Sequence, residues 1–393
     1  LKKKIILDVL ILFLLGALSS LSLPPFNLFL INFFTFSIFF TFLYKKLDFQ
    51  SYKKFFFLYG WLFGFGYFLT NIYWITISLT FDQNFNFLIP FTLIIIPAFL
   101  ALFYAIFSLV FYLIRPKNIL SAFFLFSLLF GMIEFVRGII LTGFPWNLIV
   151  YSFVKNLDFI SIISVIGTYS LNLIVISFYI VPALYVLRKS KKEIFVIISL
   201  LILPILFFTY GTYQKKEFSN SELKKNPNTV RVIGSNISIS RFYDNLETEN
   251  VINELISISS PENEKKIFFI WPEGIIPNTY QDELDLYNDI IGKYFNKNHI
   301  IGLGITSRET LNDDKKYYNS FSIFDNNLNL IDYYNKINLV PFGEFLPFEN
   351  ILNKIGLRLI TNRIESFSKG KNRKILKLEN EYQKIKFLPL ICY

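Results

Sequence analysis

The sequence predicts a chain in two parts, a multi-helix transmembrane domain over residues 1–213 and an α/β domain over 229–393, joined by a linker over 214–228. Three observations predict it. Hydrophobic residues are 53% and charged residues 17% of the 393, against about 45–50% and about 25% in soluble domains. The apolar residues of the first part lie in long runs. Two of these, Phe87–Ile114 and Phe159–Leu187, are uncharged and exceed the roughly 20 residues that cross a bilayer as a helix. From Thr229 onward the pattern becomes short apolar runs separated by turn residues, as in a sheet core flanked by helices.

The expected spans are Ile5–Leu23, Asn27–Tyr44, Phe55–Leu79, Phe87–Ile114, Ile119–Val136, Phe159–Leu187 and Ile194–Tyr213, about seven, each helical because lipid satisfies no backbone group. Lys2, Lys3 and Lys4 before an apolar run could open a signal peptide, but further spans follow, and the first is read as uncleaved. Basic residues recur on alternate loops: Lys2–Lys4, Lys45/Lys46/Lys53/Lys54, Arg115/Lys117 and Arg188/Lys189/Lys191/Lys192. The intervening loop Phe81–Asn86 carries Asp82 and no Lys or Arg. Basic loops stay cytoplasmic, so the N-terminus is expected inside and everything after Tyr213 outside the cytoplasm.

Gln214 to Asn228 is polar and Lys-rich, a linker by composition. Strands are expected at Thr229–Ile237, Lys266–Trp271, His299–Ile305, Tyr318–Phe324, Leu328–Tyr334 and Lys384–Ile391. Asp325-Asn326-Asn327 reads as a hairpin turn. Gln281–Lys297 reads as a helix with Leu284, Leu286, Tyr287, Ile290 and Ile291 on one side.

Composition also excludes chemistries. One Cys and one His rule out an intrachain disulfide, a Cys/His zinc cluster and any site with two histidines. A Ser-His-Asp site would have to recruit His299. A hydrolytic or transfer site must work mainly with Glu, Lys and Cys, and such a site calls for no metal or soluble cofactor. Bias toward Lys, Asn, Ile and Phe accounts for the net charge of +10 as well as an acidic partner would. No nucleic-acid partner is expected.

Four segments could carry chemistry. In Trp271-Pro272-Glu273-Gly274, an apolar run ends on a carboxylate, placing it where α/β sheets hold reactive groups. Buried aromatics beside it would disfavour its charged form and suit a general base; a solvated turn glutamate is the competing reading. Lys336 sits at the end of the candidate strand Leu328–Tyr334, and Glu344 follows the turn Pro341-Phe342-Gly343. A fixed ammonium there would stabilise an oxyanion and favour a neighbouring thiolate. Phe387-Leu388-Pro389-Leu390-Ile391-Cys392-Tyr393 delivers the sole cysteine to a strand end, where it is either a small hydrophobe or a nucleophile. In the first part, Glu134 and Arg137 share a helix face and can pair. The turn Gly143-Phe144-Pro145-Trp146-Asn147 follows on the extracytoplasmic side.

Taken together, these segments resemble the apolipoprotein N-acyltransferases, bacterial membrane enzymes with a nitrilase-like domain of the carbon-nitrogen hydrolase superfamily. The Trp-Pro-Glu, Lys…Val-Pro-Phe-Gly-Glu and Ile-Cys-Tyr segments look like that family's three catalytic motifs, in order. The Glu-x-x-Arg…Gly-Phe-Pro-Trp-Asn segment looks like its membrane signature, and Pro24-Pro25-Phe26-Asn27 like a feature after its first span. The resemblance implies a four-layer αββα sandwich on a membrane domain of eight helices. It implies Glu273 as general base, Lys336 as the triad lysine and Cys392 as nucleophile, with Glu344 and Tyr393 in support. Phe144, Trp146, Asn147, Phe242, Tyr243 and Phe342 would contact substrates. The implied reaction moves an acyl chain from a phospholipid to the Cys392 thiol and then to the α-amine of a diacylglyceryl-cysteine on an apolipoprotein. The implied setting is a monomer in the bacterial inner (cytoplasmic) membrane with its catalytic domain on the periplasmic side.

The sequence departs from the family at two places. Where the family often has Asn-Ile-Pro-Gln and then a Lys/Arg-Trp pair, this chain reads Asn236-Ile237-Ser238-Ile239, with Phe242 or Tyr243 standing in for the tryptophan. The chain stops at Tyr393, whereas the family continues with a glutamate, more strands and a last membrane helix. The expectation is a truncated domain with an open sheet edge, unstable and inactive. Two other functions compete: a membrane-tethered nitrilase-type amidase using the same Glu-Lys-Cys set, and a non-enzymatic transporter or assembly factor.

Overall fold

The computed structural model describes residues 2–47, 53–80, 83–221, 229–234, 248–276, 279–311, 314–341, 343–345, 347, 366–379 and 384–391. The chain divides into two compact units, Leu1–Glu222 and Leu223–Tyr393.

The regular elements of the first unit are all helical among the described residues. Helices α1 (Lys2–Ser20), α2 (Ile31–Lys46) and α3 (Lys53–Asn71) are followed by 3-10 turns at Tyr73–Thr80 and Gln83–Leu88. Then come α4 (Ile89–Ile114) and α5 (Ile119–Arg137). After a short 3-10 turn at Ile149–Phe153, the chain forms α6 (Leu157–Ile160), α7 (Ile163–Ile166), α8 (Thr168–Tyr179), α9 (Val181–Leu187) and α10 (Lys191–Asn220). Among the described residues four helical stretches are long and apolar enough to cross a membrane: Phe85–Ile114, Ile119–Arg137, Thr168–Leu187 and Lys191–Asn220. Lys53–Asn71 and Tyr73–Thr80 make a fifth if that pair, bent by 46°, is one span.

Two expectations are corrected here. Phe159–Leu187 is not one span: Gly167 turns at φ 79°, separating the short helices α6 and α7 from α8. Hydropathy sums over a window and does not register one residue in the left-handed region. α10 also runs past Tyr213 to Asn220, so the first half of the expected linker is helical.

Between lipid-facing helices there is little hydrophobic driving force, so close packing has to hold them together. Aromatic rings supply much of it. Phe36, Phe39, Phe40, Phe63, Phe107 and Phe130 are buried, and the Phe39 and Phe63 rings stack at 4.1 Å. Small residues supply the rest. A Cβ on Gly16 of α1 would lie 1.9 Å from the Phe63 carbonyl oxygen of α3, and one on Gly66 of α3 would lie 2.1 Å from the Phe13 carbonyl oxygen of α1. The two backbones therefore touch at reciprocal glycines.

The second unit has a five-stranded sheet of order β1-β2-β3-β4-β5. The strands are β1 (Thr229–Val232), β2 (Ile267–Glu273), β3 (His299–Leu311), β4 (Asp314–Phe324) and β5 (Leu330–Asn335). β1, β2 and β3 run parallel, while β3-β4-β5 is an antiparallel meander. Asp325 builds the β4–β5 turn as expected, its Oδ1 accepting from Asn327 N at 2.8 Å and Asn329 N at 2.9 Å. Leu328, expected in the strand, sits in that turn with φ 57°.

Alternation along the strands sends side chains to two faces. Ile267, Phe269, Trp271, Ile301, Leu303 and Ile305 pack on one face with α11 (Thr248–Ser259) and α12 (Asn288–Ile291). The expected helix Gln281–Lys297 is instead a 3-10 turn, Gln281–Tyr287, leading into the single turn of α12. Phe268, Ile300, Ile323 and Tyr334 pack on the other face against a two-stranded antiparallel sheet, β6 (Leu376–Glu379) and β7 (Lys384–Phe387). The layers are helix, sheet and sheet.

Candidate functional site

The sheet face that carries β6 and β7 also carries the ionisable residues. Glu273 is the last residue of β2, beside Gly304 of β3 after a shift in register. A Cβ on Gly304 would stand 2.4 Å from the Glu273 Cα, so only glycine lets the strand end lie there. Lys336 directly follows β5, with its backbone N–H donating to Asn319 O of β4 at 2.8 Å and its carbonyl accepting from Gly370 N at 2.9 Å. Its side chain is 4% exposed.

Three of the expected residues meet. The Lys336 Nζ lies 2.9 Å from Glu344 Oε1 and 3.7 Å from Glu273 Oε1. A lysine that deep in a protein needs paired charge, and the two carboxylates provide it. Glu344 also shapes its own loop: its Oε2 accepts from Val340 N at 2.8 Å, and its N–H donates to Val340 O at 2.8 Å. The Glu344 side chain is 11% exposed and that of Glu273 is 44% exposed. The expectation of a Glu273 carboxylate set among buried aromatics is therefore corrected. Its oxygen faces an ammonium and an amide instead, because the register shift turns the strand end out of the apolar layer.

Asn319 was not anticipated. Its Nδ2 donates to Glu273 Oε1 and to Glu344 Oε1, both at 2.6 Å, and so ties the two carboxylates together. The available signal was an asparagine within an otherwise β-favouring run, where that residue is disfavoured unless its side chain has work elsewhere.

Cys392 and Tyr393 lie outside the described residues, as do Phe242, Tyr243 and Phe342. Phe387 and Ile391, just ahead of Cys392, pack in the cluster of Phe268 and Ile323, on the face that carries Asn319 and Lys336. His299 takes no part. It is buried between the Phe269 and Phe295 rings, with Nδ1 accepting from Asn296 N and Nε2 donating to Glu262 O. Burial holds its pKa below the usual histidine value.

The first unit holds the other expected contacts. Glu134 and Arg137 pair at 2.8 Å with no side-chain exposure, and Tyr104 Oη donates to the same carboxylate oxygen at 2.9 Å. Arg137 Nη1 then donates to the carbonyls of Phe144 at 2.7 Å and Trp146 at 2.9 Å. The ion pair thus fixes the turn from behind. Tyr67 Oη donates to Asn147 O at 2.8 Å, and Asn147 Nδ2 to Asn71 Oδ1 at 2.5 Å. The Trp146 ring rests 5.1 Å from that of Trp74. Asn147 and Trp74 line a cavity of about 310 Å³ bounded also by Pro24, Pro25, Phe26 and Tyr151. Phe144 and Trp146 are not among its lining residues.

Among the described residues no cluster of three or more His, Cys, Asp or Glu could hold a metal ion. The family model described as the apolipoprotein N-acyltransferase N-terminal domain matches residues 15–181. The chain is similar to the apolipoprotein N-acyltransferase of Rhodopseudomonas palustris, 31% identical over 97% of this chain and 72% of the relative. It is similar to that of Brucella melitensis, 28% identical over 97% of this chain and 73% of the relative. The enzyme of the same name from Allorhizobium ampelinum is 28% identical over 96% and 72%. With its motifs in the expected order and its similarity running through both units, the chain belongs to the apolipoprotein N-acyltransferase family.

Proposed function

We propose that the protein transfers an acyl chain from a phospholipid to the N-terminal amine of a diacylglyceryl-cysteine on an apolipoprotein, through a thioester on Cys392. The observation that carries this reading is the Glu273–Asn319–Glu344–Lys336 cluster, on the sheet face against which Phe387 and Ile391 pack just ahead of Cys392 in sequence. Relatives named for this activity support it. The helix, sheet and sheet layers support an αββα sandwich as the fold of the second unit. The alternation of basic loops supports a cytoplasmic N-terminus and a second unit on the periplasmic side of the inner membrane.

The chemistry follows from the charges. Glu273 takes the thiol proton, and the Cys392 sulfur attacks the ester carbonyl of the donor. Lys336 stabilises the oxyanion that forms. Collapse breaks the ester C–O bond, and the lysophospholipid oxygen leaves with the proton held by Glu273. The apolipoprotein amine then attacks the thioester, giving an amide and returning the thiol. Asn319 and Glu344 hold the carboxylate and the ammonium in register.

The test is to incubate the gene product with a phospholipid bearing a fluorescent acyl chain. A hydroxylamine-sensitive label is expected on wild type and absent from Cys392→Ser. No label on wild type, or equal label on both, overturns the reading.

A further inference from the structure

A second cavity of the first unit is used by none of this. It is a cleft of about 550 Å³, inside the roughly 300–1,000 Å³ typical of ligand sites. Three segments wall it: Asn27 and Phe29 after α1, the stretch Ser152–Asp158 leading into α6, and Lys215 near the end of α10. Their spacing is fixed. A Cβ on Gly211 would lie 1.8 Å from Asp158 O, so α10 meets α6 backbone to backbone. Lys215, one helical turn beyond Gly211, is held over the same segment.

The charged groups lining the cleft are Lys155, Lys215 and Asp158. None of them makes an ion pair with another described residue. Two ammonium groups against one carboxylate leave one positive charge, the complement of a phosphodiester. Within the lining Phe29 and Leu157 are exposed apolar side chains. Basic heads beside an apolar surface at the ends of helices are the arrangement found at a bilayer interface.

We infer that this cleft seats the phosphodiester headgroup of a membrane glycerophospholipid, with Lys155 and Lys215 on the phosphate and the acyl chains along the apolar rim. The inference does not depend on the acyl-transfer reading. It requires only that the helices lie in a bilayer.

Native mass spectrometry of the full chain in non-ionic detergent tests it, with added phosphatidylglycerol and with diacylglycerol as the phosphate-free control. The wild type is expected to retain one more phosphatidylglycerol than Lys155→Gln/Lys215→Gln. Each single change should weaken that binding about fivefold, the usual factor for one basic residue beside anionic lipid, and diacylglycerol retention should not change. Lys155→Arg/Lys215→Arg, which keeps the charge, should retain the lipid and controls for a folding defect. Equal retention by wild type and the Gln pair overturns the inference. So does loss of the lipid to an equal concentration of inorganic phosphate, which would make the cleft a site for a free anion.

Discussion

Arg137→Met is the sharpest test of how the first unit is held together. The change leaves the Glu134 carboxylate fully buried with only the Tyr104 hydroxyl on it, and strips the donor from two carbonyls, those of Phe144 and Trp146. Removing one partner of a buried pair costs about 3–5 kcal/mol, and each orphaned carbonyl adds about 1 kcal/mol. The expected loss is therefore about 5–7 kcal/mol. Glu134→Leu alone leaves Arg137 unpaired and should cost about 3–5 kcal/mol. The double variant removes both charges, so only the carbonyls and the Tyr104 hydroxyl go unmet, at about 2–3 kcal/mol. The pair would then show several kcal/mol of coupling. Equilibrium unfolding in mixed micelles, followed by tryptophan fluorescence, measures all three. If the double variant loses as much as the two singles summed, to within about 0.5 kcal/mol, the ion pair is not what holds the turn.

Three further outcomes are expected. Gly304→Ala would drive a Cβ against the Glu273 backbone at 2.4 Å; the rate of Cys392 labelling should fall at least about tenfold with the fold retained by circular dichroism, and an unchanged rate would remove Glu273 from its assigned role. Asn319→Leu should destabilise by about 1.5–3 kcal/mol through the bond to Glu344, with less from half-exposed Glu273; a loss under about 0.5 kcal/mol in urea unfolding would show that the amide does not tie the carboxylates together. Burial lowers the His299 pKa from 6.5, so the unfolded chain binds its proton first. That contribution to stability is complete above 6.5, declines as pH falls through 6.5, and levels off below the folded pKa. His299→Gln should flatten stability against pH across that window, and an unaltered slope would place the titration elsewhere.

Much of the site was legible because apolar runs stop where chemistry starts. Glu273, Lys336 and Glu344 each follow a strand-like run or a Pro-Phe-Gly turn, and all three meet. Asn319 was not legible in that way, since it lies inside a strand and acts through the neighbour on its side chain. β6 was missed because Leu376-Lys377-Leu378-Glu379 is too short to register alone; it is defined by pairing with β7. α11 was also missed, although Val251, Ile252, Leu255 and Ile256 are spaced to share one face and all four are buried. The break at Gly167 escaped because apolar content says how long a segment stays out of water and nothing about where its backbone turns.

The reciprocal glycines of α1 and α3 divide the first unit mechanically. Where two backbones are in contact, neither helix can slip along the other without steric collision, so α1 and α3 behave as one stiff beam. α10 is fastened far more lightly: of its 30 residues the buried ones are Glu193, Ile197, Phe207 and Gly211. Held by its Gly211–Asp158 backbone contact and otherwise by few buried side chains, α10 is compliant along its length away from Gly211. A molecule entering this unit laterally would meet a stiff frame at α1 and α3 and a more yielding wall along α10 away from Gly211.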